Sequence, residues 1–281
     1  MLGRDDLVLC SGSLLLVGLV DMIEAASASG FPAITVWPND YRGALAEGHT
    51  PADLCQRLAD HGIVVADLDP LLTWLPPEVG GGVDPGPYAD AVEADFYEMA
   101  EALGARSLNL AQGFGDTIDL DGAAEAFAGV CDRAREHGLN VTIEFLPWSG
   151  IPDVATALEL VERAGRANGQ ILVDAWHWFR GPSDLAQLRA VPGDKIGSVQ
   201  ISDAPNAAPP DLITETMQAR RLPGDGDIPL VEFVRALDAT GANAPIGVEV
   251  FSAELQKLSP EEAARRCATA GRSVLSAARQ A

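Results

Sequence analysis

Four oxygen-bearing side chains close four short apolar, β-branched runs. Glu144 follows Val141-Thr142-Ile143, Asp174 follows Ile171-Leu172-Val173, Gln200 follows Ile196-Gly197-Ser198-Val199, and Glu249 follows Ile246-Gly247-Val248. A carboxylate carried to the end of a buried strand is costly unless a cation or a hydrogen-bond donor meets it. Any one of them alone reads also as an ordinary solvent-facing strand end. Four together point to one shared ion. Three carboxylates and an amide carbonyl form an all-oxygen set, which suits a hard divalent cation, Mg²⁺ or Mn²⁺, better than zinc with its preference for nitrogen and sulfur.

Other chemistry-bearing residues follow these ends. His177 stands three residues beyond the aspartate in Asp174-Ala175-Trp176-His177-Trp178. It reads as a substrate-contacting or proton-handling group, against the alternative of a packed, hydrogen-bonded histidine. Asp203 could orient Gln200 from behind, or simply build a turn. The glycine-rich stretch from Arg220 to Pro229 reads either as a turn capped by Asp227 or as a loop presenting an arginine to a substrate oxygen. Of its two arginines, Arg221 is the expected one. Trp148 and Trp176, with Trp74, Trp178, Phe145 and Phe179, fall in segments after strands, and Trp37 ends the second strand. They would wall a pocket around a ring or carbon chain, or else pack the loops.

The elements that must position these residues alternate along the whole chain. Period and breaker residues predict strands at 8–10, 33–37, 63–68, 107–110, 139–145, 170–174, 195–201 and 245–250. Helices are expected at 18–29, 51–61, 88–103, 122–137, 153–166, 183–189, 230–240 and 260–278, with Thr50 and Asp153 as N-caps. Eight strands alternating with eight helices imply a parallel sheet with right-handed crossovers. The fold class is α/β, and a single (β/α)8 TIM barrel over residues 1–281 is the natural closure. An open doubly wound sheet would want a glycine-rich phosphate turn after its first strand, and Ser11-Gly12-Ser13 is a weak match. Glycines stop the helices at His61-Gly62, Leu103-Gly104, His137-Gly138 and Thr240-Gly241. The longer segments, 37–49, 69–87, 145–152, 176–182 and 202–226, all follow strands, on the face where barrels keep their chemistry.

Bulk properties narrow the partners. The 281 residues carry a formal charge of −22 with 47% hydrophobic content. A large core is therefore available, and a nucleic-acid partner is not expected, because phosphate binding needs a basic face. The four cysteines form no CxxC pair and read as reduced thiols of a cytoplasmic protein. The apolar stretch 7–20 is preceded by the acidic segment Gly3-Arg4-Asp5-Asp6 and interrupted by Ser11-Gly12-Ser13, unlike a secretory leader. No stretch reaches the roughly 20 apolar residues of a membrane helix, so no membrane partner is expected. A homo-oligomer is compatible with the pattern but not required by it.

Taken with Val199-Gln200-Ile201-Ser202-Asp203 and Arg221-Leu222-Pro223-Gly224-Asp225-Gly226, these motifs give the chain a resemblance to the sugar phosphate isomerase/epimerase superfamily, the xylose-isomerase-like barrels. That group includes ketose 3-epimerases, inosose isomerase and dehydratase, hydroxypyruvate isomerase, 3-dehydroshikimate dehydratase and the endonuclease IV branch. The resemblance implies Glu144, Asp174, Gln200 and Glu249 as metal ligands, His177 and Arg221 as substrate-binding residues, and Glu144 and Glu249 as an acid/base pair. Many members have histidine where this chain has Gln200, and a glutamine there is similar to some dehydratases. The expected activity is a metal-dependent isomerase or epimerase acting on a small sugar or sugar-like hydroxyketone through an enediolate. A dehydratase of a cyclic hydroxyketone is the alternative. A nuclease would want more histidines and a basic groove. A non-catalytic metabolite-binding barrel would leave the two glutamates without effect on any turnover.

Overall fold

A computed structural model of the chain describes residues 2–80 and 90–280. Eight parallel strands close into a barrel in sequence order: β1 (Leu7–Leu9), β2 (Ala33–Val36), β3 (Val64–Leu71), β4 (Ser107–Ala111), β5 (Asn140–Glu144), β6 (Gly169–Asp174), β7 (Ile196–Ile201) and β8 (Ile246–Val248). The barrel closes where β1 pairs with β8, Leu7 opposite Ile246 and Leu9 opposite Val248. This is the (β/α)8 TIM barrel expected from the alternation.

Between the strands run α1 (Leu19–Ala28), α2 (Pro38–Ala46), α3 (Pro51–His61), α4 (Glu93–Leu103), α5 (Leu120–Glu136), α6 (Val154–Ala164), α7 (Ala175–Arg180), α8 (Leu185–Ala190), α9 (Leu212–Gln218), α10 (Leu230–Ala239) and α11 (Pro260–Arg279). Local chemistry sets their ends. Thr50 Oγ1 accepts from the Asp53 amide at 3.2 Å and Asp153 Oδ1 from the Thr156 amide at 2.8 Å, each taking up an amide that helix geometry leaves unpaired. Gly62 and Gly104 follow α3 and α4 with positive φ, a conformation that costs a residue bearing Cβ.

Two sequence expectations need correction. Helix α4 begins at Glu93 rather than at residue 88, because Asp95 Oδ2 takes the Val92 amide at 2.8 Å and starts the helix there. Residues 88 and 89 of the expected helix lie outside the described residues. Three helices, α2, α7 and α9, occupy stretches expected as loops, so the described residues hold eleven α-helices instead of eight. Helices α2 and α7 follow β2 and β6 almost directly and α9 follows β7 after residues 202–211, so all three lie on the carboxyl side of the barrel strands. No helix among the described residues is long and apolar enough to cross a membrane.

Inside the barrel a column of polar side chains climbs toward that face. Asp67 Oδ1 accepts from Ser107, from Ser198 Oγ at 2.8 Å and from Arg106 Nη2 at 3.3 Å. Further along the strands, Thr142 Oγ1 donates to Asn109 Oδ1 at 2.8 Å, and Asn109 Nδ2 donates to Glu144 Oε2 at 3.1 Å. Buried polar groups that are bonded in this way hold one arrangement, since each unmade bond is expensive in the interior.

Candidate active site

The four strand-end side chains come together. Parallel pairing sets Asp174 beside Gln200 and Gln200 beside Gly247, which brings Glu249, two residues on, to the same level. Glu144, Asp174, Gln200 and Glu249 are all buried. Gln200 Nε2 donates to Glu249 Oε1 at 3.2 Å, while Gln200 Oε1 is buried with no partner among the described residues.

Asp174 also starts α7. Its Oδ1 accepts from the amides of Trp176 and His177 at 2.6 and 2.9 Å, which turns the chain so that His177 faces the barrel axis. Its Oδ2 accepts from Arg220 Nη1 at 2.8 Å. The same Arg220 nitrogen lies 3.4 Å from Glu249 Oε2, and Arg220 Nη2 donates to His177 Nε2 at 3.2 Å and to Thr216 Oγ1 at 2.7 Å. The guanidinium carbon lies over the Trp176 ring at 5.1 Å and the Phe251 ring at 5.0 Å, so two aromatic rings contribute cation–π contacts to the charge. His177 Nε2 is 3.4 Å from Glu144 Oε1. Ligand atoms of Glu144, Asp174 and His177 all lie within 4.8 Å of one another.

This crowding shifts the proton affinities. Burial, then the neighbouring Glu249 and Asp174 charges, push Glu144 well above the usual carboxylate range. Burial pushes Glu249 up to about 8 against the pull of Arg220. Burial works in the same direction on Asp174, but Arg220, His177 and the α7 amides together hold its carboxyl below its ordinary value. Burial lowers His177 to about 3, so the ring is neutral and its Nε2 keeps the lone pair that accepts from Arg220. Nδ1 then carries the proton and is buried without a partner among the described residues.

Above these groups opens a cavity of about 300 Å³ whose floor is Asn109, Glu144, His177, Arg220 and Glu249. Trp148 lines it, with its indole N–H spent on the Gly113 carbonyl at 2.9 Å. Two expected substrate contacts lie elsewhere. Arg221 is exposed and donates to the Asp225 carbonyl at 3.2 Å; it pairs across the chain with Asp203, and its side chain leaves the site. Arg220 enters instead. Trp176 is fully buried beneath His177 and Arg220, not in the cavity wall. Trp74 and Trp178 also pack inward, against Phe127 and Phe233. Asp203 takes the turn-building option, accepting from the amides of Ala204, Gly224 and Ile228.

Sequence reasoning missed four groups at the site: Arg220, Thr216, Asn109 and Asp69. Ile213, Thr216, Met217 and Arg220 recur at helical spacing, and all four line the cavity. That period was the available signal for α9 and for the choice between the two arginines. Asn109, set amid Leu108 and Leu110, was visible as a polar residue inside a strand. Asp69 was visible as an acidic residue alternating with apolar ones after Val64-Val65-Ala66-Asp67-Leu68; its Oδ1 is buried and unpaired among the described residues, and burial raises its carboxyl well above the ordinary value.

The residues fit a divalent cation. Three carboxylates against one guanidinium leave two formal negative charges when all are ionised, and Gln200 Oε1 is an acceptor with no donor among the described residues. A doubly charged ion answers both.

The model of the xylose isomerase-like TIM barrel family matches residues 23–270. A 3-dehydroshikimate dehydratase of Pseudomonas aeruginosa is 27% identical over 240 residues, which cover 83% of this chain and 36% of that protein. The chain thus spans about a third of that relative's length. An inosose isomerase of Bacillus velezensis is 30% identical over 142 residues, 50% of each protein. Among solved structures, an IOLI protein crystallised with a zinc atom superposes with a TM-score of 0.85 at 22% identity, covering 96% of this chain and 98% of that one. At that identity the likeness is one of fold.

Proposed function

Because the chain belongs to the xylose isomerase-like TIM barrel family, we propose that it is a divalent-metal-dependent isomerase or epimerase that moves a proton at a carbon next to a carbonyl. The observation that carries this reading is the pair Glu144 and Glu249: two buried carboxyls lining one cavity, both raised by burial, Glu249 to about 8 and Glu144 well above the usual carboxylate range. Glu144, Asp174, Gln200 and Glu249 would hold the cation, Mg²⁺ or Mn²⁺, with His177 beside them. Such a cation supplies a Lewis acid that makes the adjacent C–H more acidic and stabilises the charge of an enediolate.

The chain's own groups divide the remaining work. Asn109 fixes the Glu144 carboxyl through its amide, so that one glutamate presents an oxygen in a set direction. One glutamate, ionised, would take the proton and hold it, and the other, protonated, would deliver its own to the opposite face or to the neighbouring carbon, each then exchanging with solvent. Arg220 holds Asp174 in place and brings a positive charge to the cavity floor, where developing negative charge on substrate oxygen would gather. Neutral His177 offers hydrogen bonding without adding charge. The aromatic and aliphatic walls keep water from competing for the proton.

Dehydration is the second reading, favoured by the dehydratase relative whose similarity runs over 83% of this chain. There the returning proton would go to a leaving β-hydroxyl instead of to carbon. One experiment separates these outcomes. Candidate hydroxyketones are incubated with metal-loaded enzyme in D₂O, and deuterium at the α-carbon is followed by NMR. Metal-dependent incorporation is expected, reduced roughly 10²–10⁴-fold in Glu144→Gln and in Glu249→Gln. Growth of a conjugated enone absorbance would favour the lyase. Exchange that persists in both variants would refute the proton-transfer reading.

A further inference from the structure

We infer that the substrate carries its hydroxyketone at one end only and a ring or hydrocarbon body at the other: an aryl or alkyl α-hydroxyketone, not a polyhydroxylated sugar or a sugar phosphate. This rests on the proton-transfer reading of the same site. Among the described residues most polar groups of the cavity gather at its floor, and most of them are already engaged. Arg220, the one cationic side chain on the cavity among the described residues, is taken up by Asp174, His177 and Thr216 and stands beside Glu249. Among the described residues no free cation is left there to receive a phosphate or a second carboxylate.

The walls are apolar. Leu146, Trp148, Met217 and Phe251 rise from the floor, and Phe114 and Ile213 stand at the mouth with 42% and 38% of their surface exposed. Apolar side chains left open at the mouth of a cavity mark a surface that a ligand covers. Above the floor, the polar side chains on the cavity are Asp69, Thr216, already bonded to Arg220, and Asn39 at the exposed edge. A sugar or a cyclitol ketone bears a hydroxyl on nearly every carbon. Pressed against these walls, each hydroxyl would give up its water without gaining a partner. A phenyl ring or alkyl chain gains from the same contact. Asp69, whose Oδ1 is buried and unpaired among the described residues, is placed to meet one further oxygen on such a substrate.

Titration calorimetry of the full chain in Mn²⁺ tests this with two probes, 1-hydroxy-1-phenylpropan-2-one and scyllo-inosose. The aryl compound is expected to bind at least about tenfold more tightly, a preference within the reach of an apolar pocket. Phe114→Asn and Ile213→Asn change exposed positions and so spare the fold, and each should cut the ratio of the two affinities about fivefold. Tighter binding of the inosose, or a ratio unmoved by both substitutions, would overturn the inference. The deuterium assay keeps the two proposals apart. Aryl binding without exchange in any compound sinks the proton-transfer reading and leaves the cavity inference standing. Exchange confined to polyols does the reverse.

Discussion

Arg220 is the residue on which the site turns. Its charge is buried among carboxylates, and its two aromatic faces leave it little freedom to relax. Removing one partner of such a buried pair exposes the other to the full cost of desolvation, about 3–5 kcal/mol. Arg220→Met should therefore lose stability on that order in thermal denaturation, and Mn²⁺ should restore more of it in the variant than in the wild type, because the ion replaces a missing positive charge. A variant as stable as the parent would show that the carboxylates do not need the guanidinium. The thiols give a second test at this scale. Burial pushes Cys131 and Cys267 up to about 12, and burial with Glu249 and Asp69 nearby pushes Cys10 well above its ordinary value, whereas Cys55 is exposed. Alkylation of the native chain followed by mass spectrometry should modify Cys55 first and the other three only on unfolding. Rapid labelling of Cys10 would mean that the barrel interior opens.

At the scale of elements, α9 carries three cavity residues and leads directly into Arg220. It is pinned from behind: Arg180, at the end of α7, donates to both carboxylate oxygens of Glu215 at 2.7 Å, and to the Pro205 carbonyl at 2.8 Å. The pair is almost wholly buried, so Arg180→Met should cost about 3–5 kcal/mol of stability and loosen α9. Its kinetic signature should be a rise in KM larger than any fall in kcat, since α9 shapes the cavity and the glutamates stand on other strands. An equal fall in kcat and in kcat/KM, with KM unchanged, would place the effect at the chemistry. The same helix shows where sequence reading reaches its limit. Strand ends were legible because an apolar run stops abruptly at Glu144, Asp174, Gln200 or Glu249, and the alternation of strands and helices was legible because each long helix has a buried face. Helices α2, α7 and α9 have six to nine residues, too few for period to stand out against polar and proline-containing neighbours. Without α9, nothing distinguished Arg220 from Arg221. Without α7, nothing showed that Asp174 would spend one oxygen on the helix start and bury Trp176.

At the scale of the whole molecule, the formal charge of −22 acts on the barrel from every side. Like charges at this density oppose the compact state, and salt weakens them as the screening length falls from about 30 Å at 0.01 M to about 8 Å at 0.15 M. The melting temperature should rise over that range of NaCl, and a flat or falling profile would mean that the surface ion pairs outweigh the repulsion. The site concentrates the same imbalance in its interior, where three carboxylates face one guanidinium and an amide oxygen unpaired among the described residues. The most direct measurement of the account is therefore the metal content of the full chain, by elemental analysis after chelation and dialysis and by calorimetric titration with Mg²⁺ and Mn²⁺. About one divalent ion per chain is expected, lost in Asp174→Ala. A chain that takes up no divalent ion at saturating concentration would contradict it.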